Sequence, residues 1–466
     1  MRLSTSVALV ASSAVIAALL PAVAAESVSA VPMCQGHRAT IVGDPADREL
    51  NGTAGDDVIV TRGVASVRAE GGSDRICVTG TTTRDGETNI DAGPGADRVR
   101  VVTSPTGRLN AVLGEGDDRM VVATTPTHRI YARLGAGRDV YRGGPGPDFV
   151  NADAGSSTGE HDRISTGAGP DHVAVGRWRS PTHDEVELGA GDDQLRVHGW
   201  LTPAARPRGG AGSDAIRPGE RCAVYPSEPG CQERPEWVVD NVRGVATVDG
   251  VVQSRWSGFE VFDLFNWNTG PVTFVGGDAD EVVRVEAGGL VGATMGAGDD
   301  YLLMTTKRIE HQGEISGGPG RDTLDVYGWG LTVDLAAGVM WERHTGSATD
   351  PSARFAGFEN ATGASSHGST LIGDGGDNDL RGSGCNAKLD GGAGDDDLLF
   401  INPTPNTVPC LPPGRDAHFH GGPGADVLHG GWGPDRLDGG GGFDTVYGSR
   451  GRDVCIAAEV QHSCER

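Results

Sequence analysis

The sequence predicts an all-β chain, wound as a parallel β-roll or β-helix solenoid of glycine–aspartate turns. Three observations carry that prediction. From Gly421 to Ile456 a nine-residue unit repeats in tandem as GGPGADVLH, GGWGPDRLD, GGGGFDTVY and GSRGRDVCI, with Gly first and fourth, Asp sixth, and an apolar residue or Cys455 eighth. Upstream the Gly-x-Gly-x-Asp core recurs at wider spacing: Asp97, Asp118 and Asp139 stand 21 apart, and Asp148, Asp171, Asp193 and Asp214 stand 23, 22 and 21 apart. A period near 18 to 23 that halves to 9 is what two short strands and two turns per coil would give. Finally, there are 75 Gly in 466 residues, and each Gly costs a helix about 1 kcal/mol against Ala.

The chain divides in order. Residues 1–25 read as a secretory signal, with Arg2, an apolar and small-residue run over 7–20, and a small-residue cleavage site near Ala25 in PAVAAE. The mature protein is therefore expected outside the cell. No later segment approaches the roughly 20 apolar residues that a membrane span needs. Residues 26–217 form a first stretch of solenoid. Residues 218–273 are an insert, holding the loop between Cys222 and Cys231 and then WSGFEVFDLFN. Coils resume over 274–326. A second insert, 327–362, contains LTVDLAAGV and FAGFENATG, and shares Gly-Phe-Glu with the first, at Gly258 and Gly357. Both inserts read as β-rich coils whose turns lack the Asp motif. Residues 363–466 make a C-terminal β-roll interrupted by a Pro-rich loop at 400–420. In each unit the eighth residue, such as Leu428, Leu437 or Val446, is expected to point inward.

Low hydrophobicity with a net charge of −25 is the signature of disorder, but a strict period lets apolar positions bury themselves by stacking. The acidic excess disfavours nucleic acid and anionic membranes as partners and favours cations. The eight cysteines fall into neighbouring pairs, Cys34/Cys77, Cys222/Cys231, Cys385/Cys410 and Cys455/Cys464. Eight cysteines allow about 105 pairings, so neighbour pairing is an expectation to be checked. No CxxC occurs, which favours structural disulfides over a zinc ribbon.

One carboxylate at a fixed place in a glycine turn suits a hard cation. Calcium takes about six to eight oxygen ligands and mixes carboxylates with backbone carbonyls, whereas magnesium demands stricter geometry and soft metals want Cys or His clusters. One turn offers too few oxygens; two stacked turns offer enough, so the ion belongs between coils. The candidate ligands are Asp57, Asp74, Asp97, Asp118, Asp139, Asp148, Asp171, Asp193, Asp214, Asp300, Asp322, Asp396, Asp426, Asp435, Asp444 and Asp453. The carbonyls of Gly421, Gly424, Gly430, Gly433, Gly439 and Gly442 join them. Turns one coil apart should share an edge, so Asp57 to Asp139 form one column and Asp148 to Asp214 the other. In the tandem block Asp426 should stack with Asp444, and Asp435 with Asp453. Asp162 and Asp184 keep phase with the first column without its glycines. Ser369, Asn378 and Ala387 replace the sixth-place Asp in a degenerate run.

These repeats resemble the RTX, or haemolysin-type, calcium-binding family, whose unit is GGxGxDxUx with U a large apolar residue. The opening CQGHRATIVG and the closing GRDVC are similar to secreted actinobacterial members. The resemblance implies a parallel β-roll with several calcium ions in its turns, held by Asp426, Asp435, Asp444 and Asp453 with neighbouring glycine carbonyls. It points to a structural or binding module, whose partner would be a cell-wall or extracellular polysaccharide or a protein. The alternative is a parallel β-helix polysaccharide lyase or epimerase, for which Trp256, Trp267, Trp341 and Arg343 in the inserts are the available groove residues. GSSTG at 155–159 matches a nucleophile elbow but lacks its strand and helix. His418 and His420 in HFHGG are candidate metal ligands of a weaker kind. No catalytic residue is assigned.

Overall fold

The computed structural model describes residues 31–80, 86–102, 107–123, 129–152, 161–177, 180–219, 236–264, 271–286, 290–305, 313–342, 351–365, 367–401 and 416–465. The signal-like segment, GSSTG, Trp267 and Arg343 lie outside them. Among the described residues every regular element is a strand. The chain is a parallel β-solenoid.

One coil shows how the sequence builds it. Arg98–Val101 alternates strictly, with Val99 and Val101 buried and the two arginines outward. After the intervening loop, Arg108–Glu115 buries Leu109, Ala111 and Leu113. This period of two is that of a strand with one face on the core. The glycine turn at Gly114–Asp118 reverses the chain, and Arg119–Val122 lands beside Arg98–Val101, with Arg119 opposite Arg98 and Met120 opposite Val99. Ile130–Ala136 likewise lands on Arg108–Glu115. Repetition gives two parallel sheets back to back. One runs without a break from Glu49–Thr53 to Val460–His462. The opposite face begins with a nine-stranded sheet ending at Arg208–Ala211 and continues as a 14-stranded sheet.

The break between those two sheets coincides with an antiparallel excursion, which the sequence reading did not foresee. Trp237–Asp240 pairs in parallel with Val272–Val275, but Val245–Val248 folds back on it and Val251–Arg255 returns again. A second hairpin, Leu331–Asp334 with Val339–Glu342, is spliced between Ala353–Ala356 and Ser369–Ile372. With the short N-terminal hairpin of Met33–Cys34 and His37–Arg38, these are the antiparallel interruptions of the parallel solenoid among the described residues, possible because a hairpin can close its own hydrogen bonds without completing a coil.

The main hydrophobic core runs from Leu50 to Val446, with Leu428, Leu437 and Val446 fully buried in it, and a small separate cluster joins Cys34, Val60 and Cys77. Beside the first hairpin it becomes aromatic, with the Phe262 and Phe274 rings 5.2 Å apart. Disulfides join Cys34 to Cys77 and Cys455 to Cys464 at the two ends. Cys385 is also disulfide-bonded; Cys222, Cys231 and Cys410 lie outside the described residues. Among the described residues no helix is long and apolar enough to cross a membrane.

Candidate metal centres in the turns

Each turn places its sixth residue at the mouth of a strand, with its side chain folded back under the turn. The first-place glycine makes room for it: on Gly421 a Cβ would fall on Oδ2 of Asp426. The second and fourth places need the left-handed region, as at Gly440 (φ 104°) and Gly442 (φ 151°), where a side chain is strained. The carbonyl oxygens of Gly422 and Gly424, one coil earlier, occupy the places where Cβ atoms on Gly440 and Gly442 would stand. Stacked turns thus present columns of backbone carbonyls beside a column of carboxylates.

The carboxylates form ladders. On one edge the backbone N–H of Asp57 donates to Oδ1 of Asp74 (2.7 Å), Asp74 to Asp97 (2.8 Å), Asp97 to Asp118 (2.7 Å) and Asp118 to Asp139 (2.8 Å). On the other edge the ladder runs from Asp148 through Asp171 and Asp193 to Asp214 (2.8, 2.8 and 3.0 Å). Farther along it passes from Asp300 to Asp322 and from Asp396 through Asp426 to Asp444. Asp435 donates to Asp453 on the first edge. The glycine turns change edge between Asp139 and Asp148, as their nine-residue separation predicts. All sixteen predicted aspartates lie in these ladders.

The second carboxylate oxygen distinguishes two kinds of turn. In Asp97, Asp118, Asp214, Asp322, Asp426 and Asp444, Oδ2 is buried and accepts no hydrogen bond. Such an oxygen in low dielectric opposes ionisation. Burial pushes the Asp97 carboxyl up to about 7 and Asp118 up to about 8, against the lowering effect of the ladder N–H. A cation would relieve that cost. Asp57 and Asp435 differ: Oδ2 accepts from the second-place N–H of its own turn, Thr53 and Gly431 (both 2.7 Å), and Oδ1 is bonded as well.

Residues 134–156 and 420–455 match the RTX calcium-binding nonapeptide repeat family, in four copies. The chain carries RTX calcium-binding repeats. No curated protein matches it.

Beyond the RTX glycine turns, the ladders recruit residues that the sequence reading missed. Asp214 donates to Glu260 (2.9 Å), Asp322 to Glu359 (2.8 Å), Asp444 to Glu459 (2.8 Å) and Asp453 to Glu465. Each glutamate sits two residues after a left-handed one: Gly258, Gly357, Ala457 and Ser463. The longer side chain reaches the rung from a tighter turn. The shared Gly-Phe-Glu of the two inserts was the available signal, and its rung role went unread. Glu281 and Asn378 are further rungs, each accepting the second-place N–H of its own turn, Gly277 and Asp374; the Asn378 turn is closed like those of Asp57 and Asp435, whereas Oε2 of Glu281 stays buried without a partner. On the first edge Asp162 and Asp184 extend the ladder (2.8 and 3.0 Å). The Thr182 hydroxyl caps Asp184 at 2.5 Å.

The doubled GDD form adds an outer ladder of opposite sense. Oδ1 of Asp192, Asp299 and Asp395 accepts from the N–H of the fifth residue one coil later. Other candidates contribute less. Trp256 is buried, with its indole N–H on Asn241 (3.1 Å), so it cannot stack on a sugar. His418 and His420 project from the strand His418–Gly424, and no group of three metal-ligating side chains of the His, Cys, Asp or Glu type gathers among the described residues.

Proposed function

We propose that this protein is a secreted calcium-dependent structural or binding module, in which ions between stacked RTX turns drive folding and rigidity. The supporting observation is the column of buried Oδ2 atoms without hydrogen-bond donors, walled by glycine carbonyls that a Cβ would displace. That oxygen-only donor set fits calcium. The ligands assigned are the open-turn carboxylates at Asp74, Asp97, Asp118, Asp139, Asp171, Asp193, Asp214, Asp300, Asp322, Asp396, Asp426, Asp444 and Asp453, with carbonyls of their glycine turns. Asp57 and Asp435 begin runs of such turns and serve as the supporting rung beneath the first site, whereas Asp148, with both carboxylate oxygens buried and unpartnered, begins its run as a ligand. Bound calcium supplies positive charge to carboxylates that the fold has removed from water.

Extracellular calcium modules bind at about 10⁻⁴–10⁻³ M, so export would deliver the chain into folding conditions. Its two end disulfides suit the same compartment. Titrating calcium into metal-free protein tests the reading. Far-UV dichroism should gain strand signal and the hydrodynamic radius should contract over that range. No change in either quantity between excess chelator and excess calcium overturns it.

A further inference from the structure

Several outward arginines on this solenoid are paired with a carboxylate on the same or the neighbouring strand. Arg68 meets Glu49 at 3.2 Å, Arg163 meets Glu185 at 3.0 Å, Arg208 meets Glu187 at 2.6 Å, and Arg381 meets Asp379 at 2.7 Å within one strand. Five arginines without such a partner are gathered on one face. On the outer face of the nine-stranded sheet, Arg75, Arg98 and Arg119 stand directly opposite one another on successive strands. Arg100 and Arg142 lie in the next lane, separated by Val121. Arg98, Arg100 and Arg142 are exposed, and Arg75 and Arg119 half-exposed. None of the five has an ion-pair partner among the described residues. Like charges set directly opposite destabilise a sheet, so a chain of net charge −25 holds these cationic lanes at a cost.

The surface has ends. The disulfide from Cys34 to Cys77 pins the N-terminal hairpin over the first strands, with the Gln35 amide on the Arg98 carbonyl (2.8 Å). At the other end Arg142 borders a cavity of about 500 Å³, roofed by Ala204–Arg206, in which Glu185 and Glu187 neutralise Arg163 and Arg208 and so bound the cationic lanes. Between them lie about three steps of ~4.8 Å along the solenoid axis, two side-chain lanes wide.

We propose that this face binds a single strand of an acidic polysaccharide, carrying a carboxylate on each sugar, laid along the axis between the N-terminal hairpin and the cavity rim. Guanidinium groups recognise carboxylates in bidentate fashion, and their regular spacing suits a ligand whose charge also repeats. Other polyanions fit worse. The lanes hold Arg, Val and Ser, with no aromatic ring for base stacking and no element that could enter a duplex groove. The patch is too narrow for a stable protein interface of roughly 800 Å² per partner. It also lacks the apolar anchors of a membrane-surface site.

The test uses the full chain in saturating calcium, where the fold is kept separate from the ligand. Calorimetric titration with a short oligogalacturonate should show binding that weakens with salt. Arg98→Gln/Arg119→Gln/Arg142→Gln should lose about tenfold or more of that affinity. Its dichroism should be unchanged and its melting temperature equal or higher, because a like-charge contact is relieved. The exposed Arg436→Gln should bind as the parent does. Retained affinity in the triple variant, a lowered melting temperature, equal binding of the methyl-esterified oligomer, or tighter binding of oligo(dT) would each overturn the proposal.

Discussion

Two adjacent glycines in one turn separate geometry from composition. Gly442 is left-handed at φ 151°, with a neighbouring carbonyl where its Cβ would be, whereas nothing lies within 4 Å of a Cβ on Gly441. Gly442→Ala should cost at least about 1–3 kcal/mol, and Gly441→Ala should be neutral or gain about 0.4–1 kcal/mol. Urea midpoints in saturating calcium compare them; equal midpoints would count against the stacked-carbonyl geometry. Asp118→Asn keeps an oxygen for the Asp97 N–H but removes the charge. It should raise the melting temperature of metal-free protein and lower that of calcium-loaded protein, and a shift of the same sign in both would refute the assignment. The sign follows from the carboxyl itself. With its folded value pushed up from 3.8 to about 8, its contribution to metal-free stability is complete below about pH 4 and is lost as pH rises through 8. Metal-free chain should therefore show more strand dichroism at pH 5 than at pH 8, and the calcium midpoint should move to higher concentration as pH falls.

At the scale of the element, turns and rungs have an order. A closed turn opens three of the runs (Asp57, Asn378, Asp435), open turns continue them, and a glutamate on a tight turn ends most runs (Glu260, Glu359, Glu459, Glu465). Glu359→Ala should leave the Asp322 N–H buried without an acceptor, costing about 1–3 kcal/mol. Glu359→Gln keeps the acceptor and should cost much less, which urea midpoints would show. The aspartate columns were legible because equal spacing in sequence becomes equal height in a solenoid. Asp426 over Asp444 and the edge change at Asp148 needed only counting. The glutamate rungs escaped because the residue gap to their partners is 46, 37, 15 and 12. It varies with the excursion that precedes them, so no period marks them. The hairpin at Val245–Val248 was hidden likewise, since its short β-branched run reads as one more coil strand. Among the closed turns that of Asp435 keeps the full motif, so nothing in its sequence marks where its second-place N–H points.

For the whole molecule, the inner ladder has a direction. The N–H of each rung is satisfied by a side chain one coil later in sequence, from Asp57 onward on one edge and from Asp148 on the other. A coil is thus incomplete until its successor is in place. The last coil is the exception: Asp444 and Asp453 find Glu459 and Glu465 within 15 and 12 residues, and Cys455 is tied to Cys464. It carries its own lid. Construction from that end meets a finished surface at every step, whereas construction from the opposite end leaves buried donors bare until the next layer arrives. Refolding followed by pulsed hydrogen exchange should show amides of residues 436–465 protected before those of residues 49–101, and deletion of 457–466 should slow folding of the entire column. Earlier protection at the amino-terminal end would show that the assembly has no such vector. A polymer made one residue at a time from its beginning would then set, as masonry, from its end.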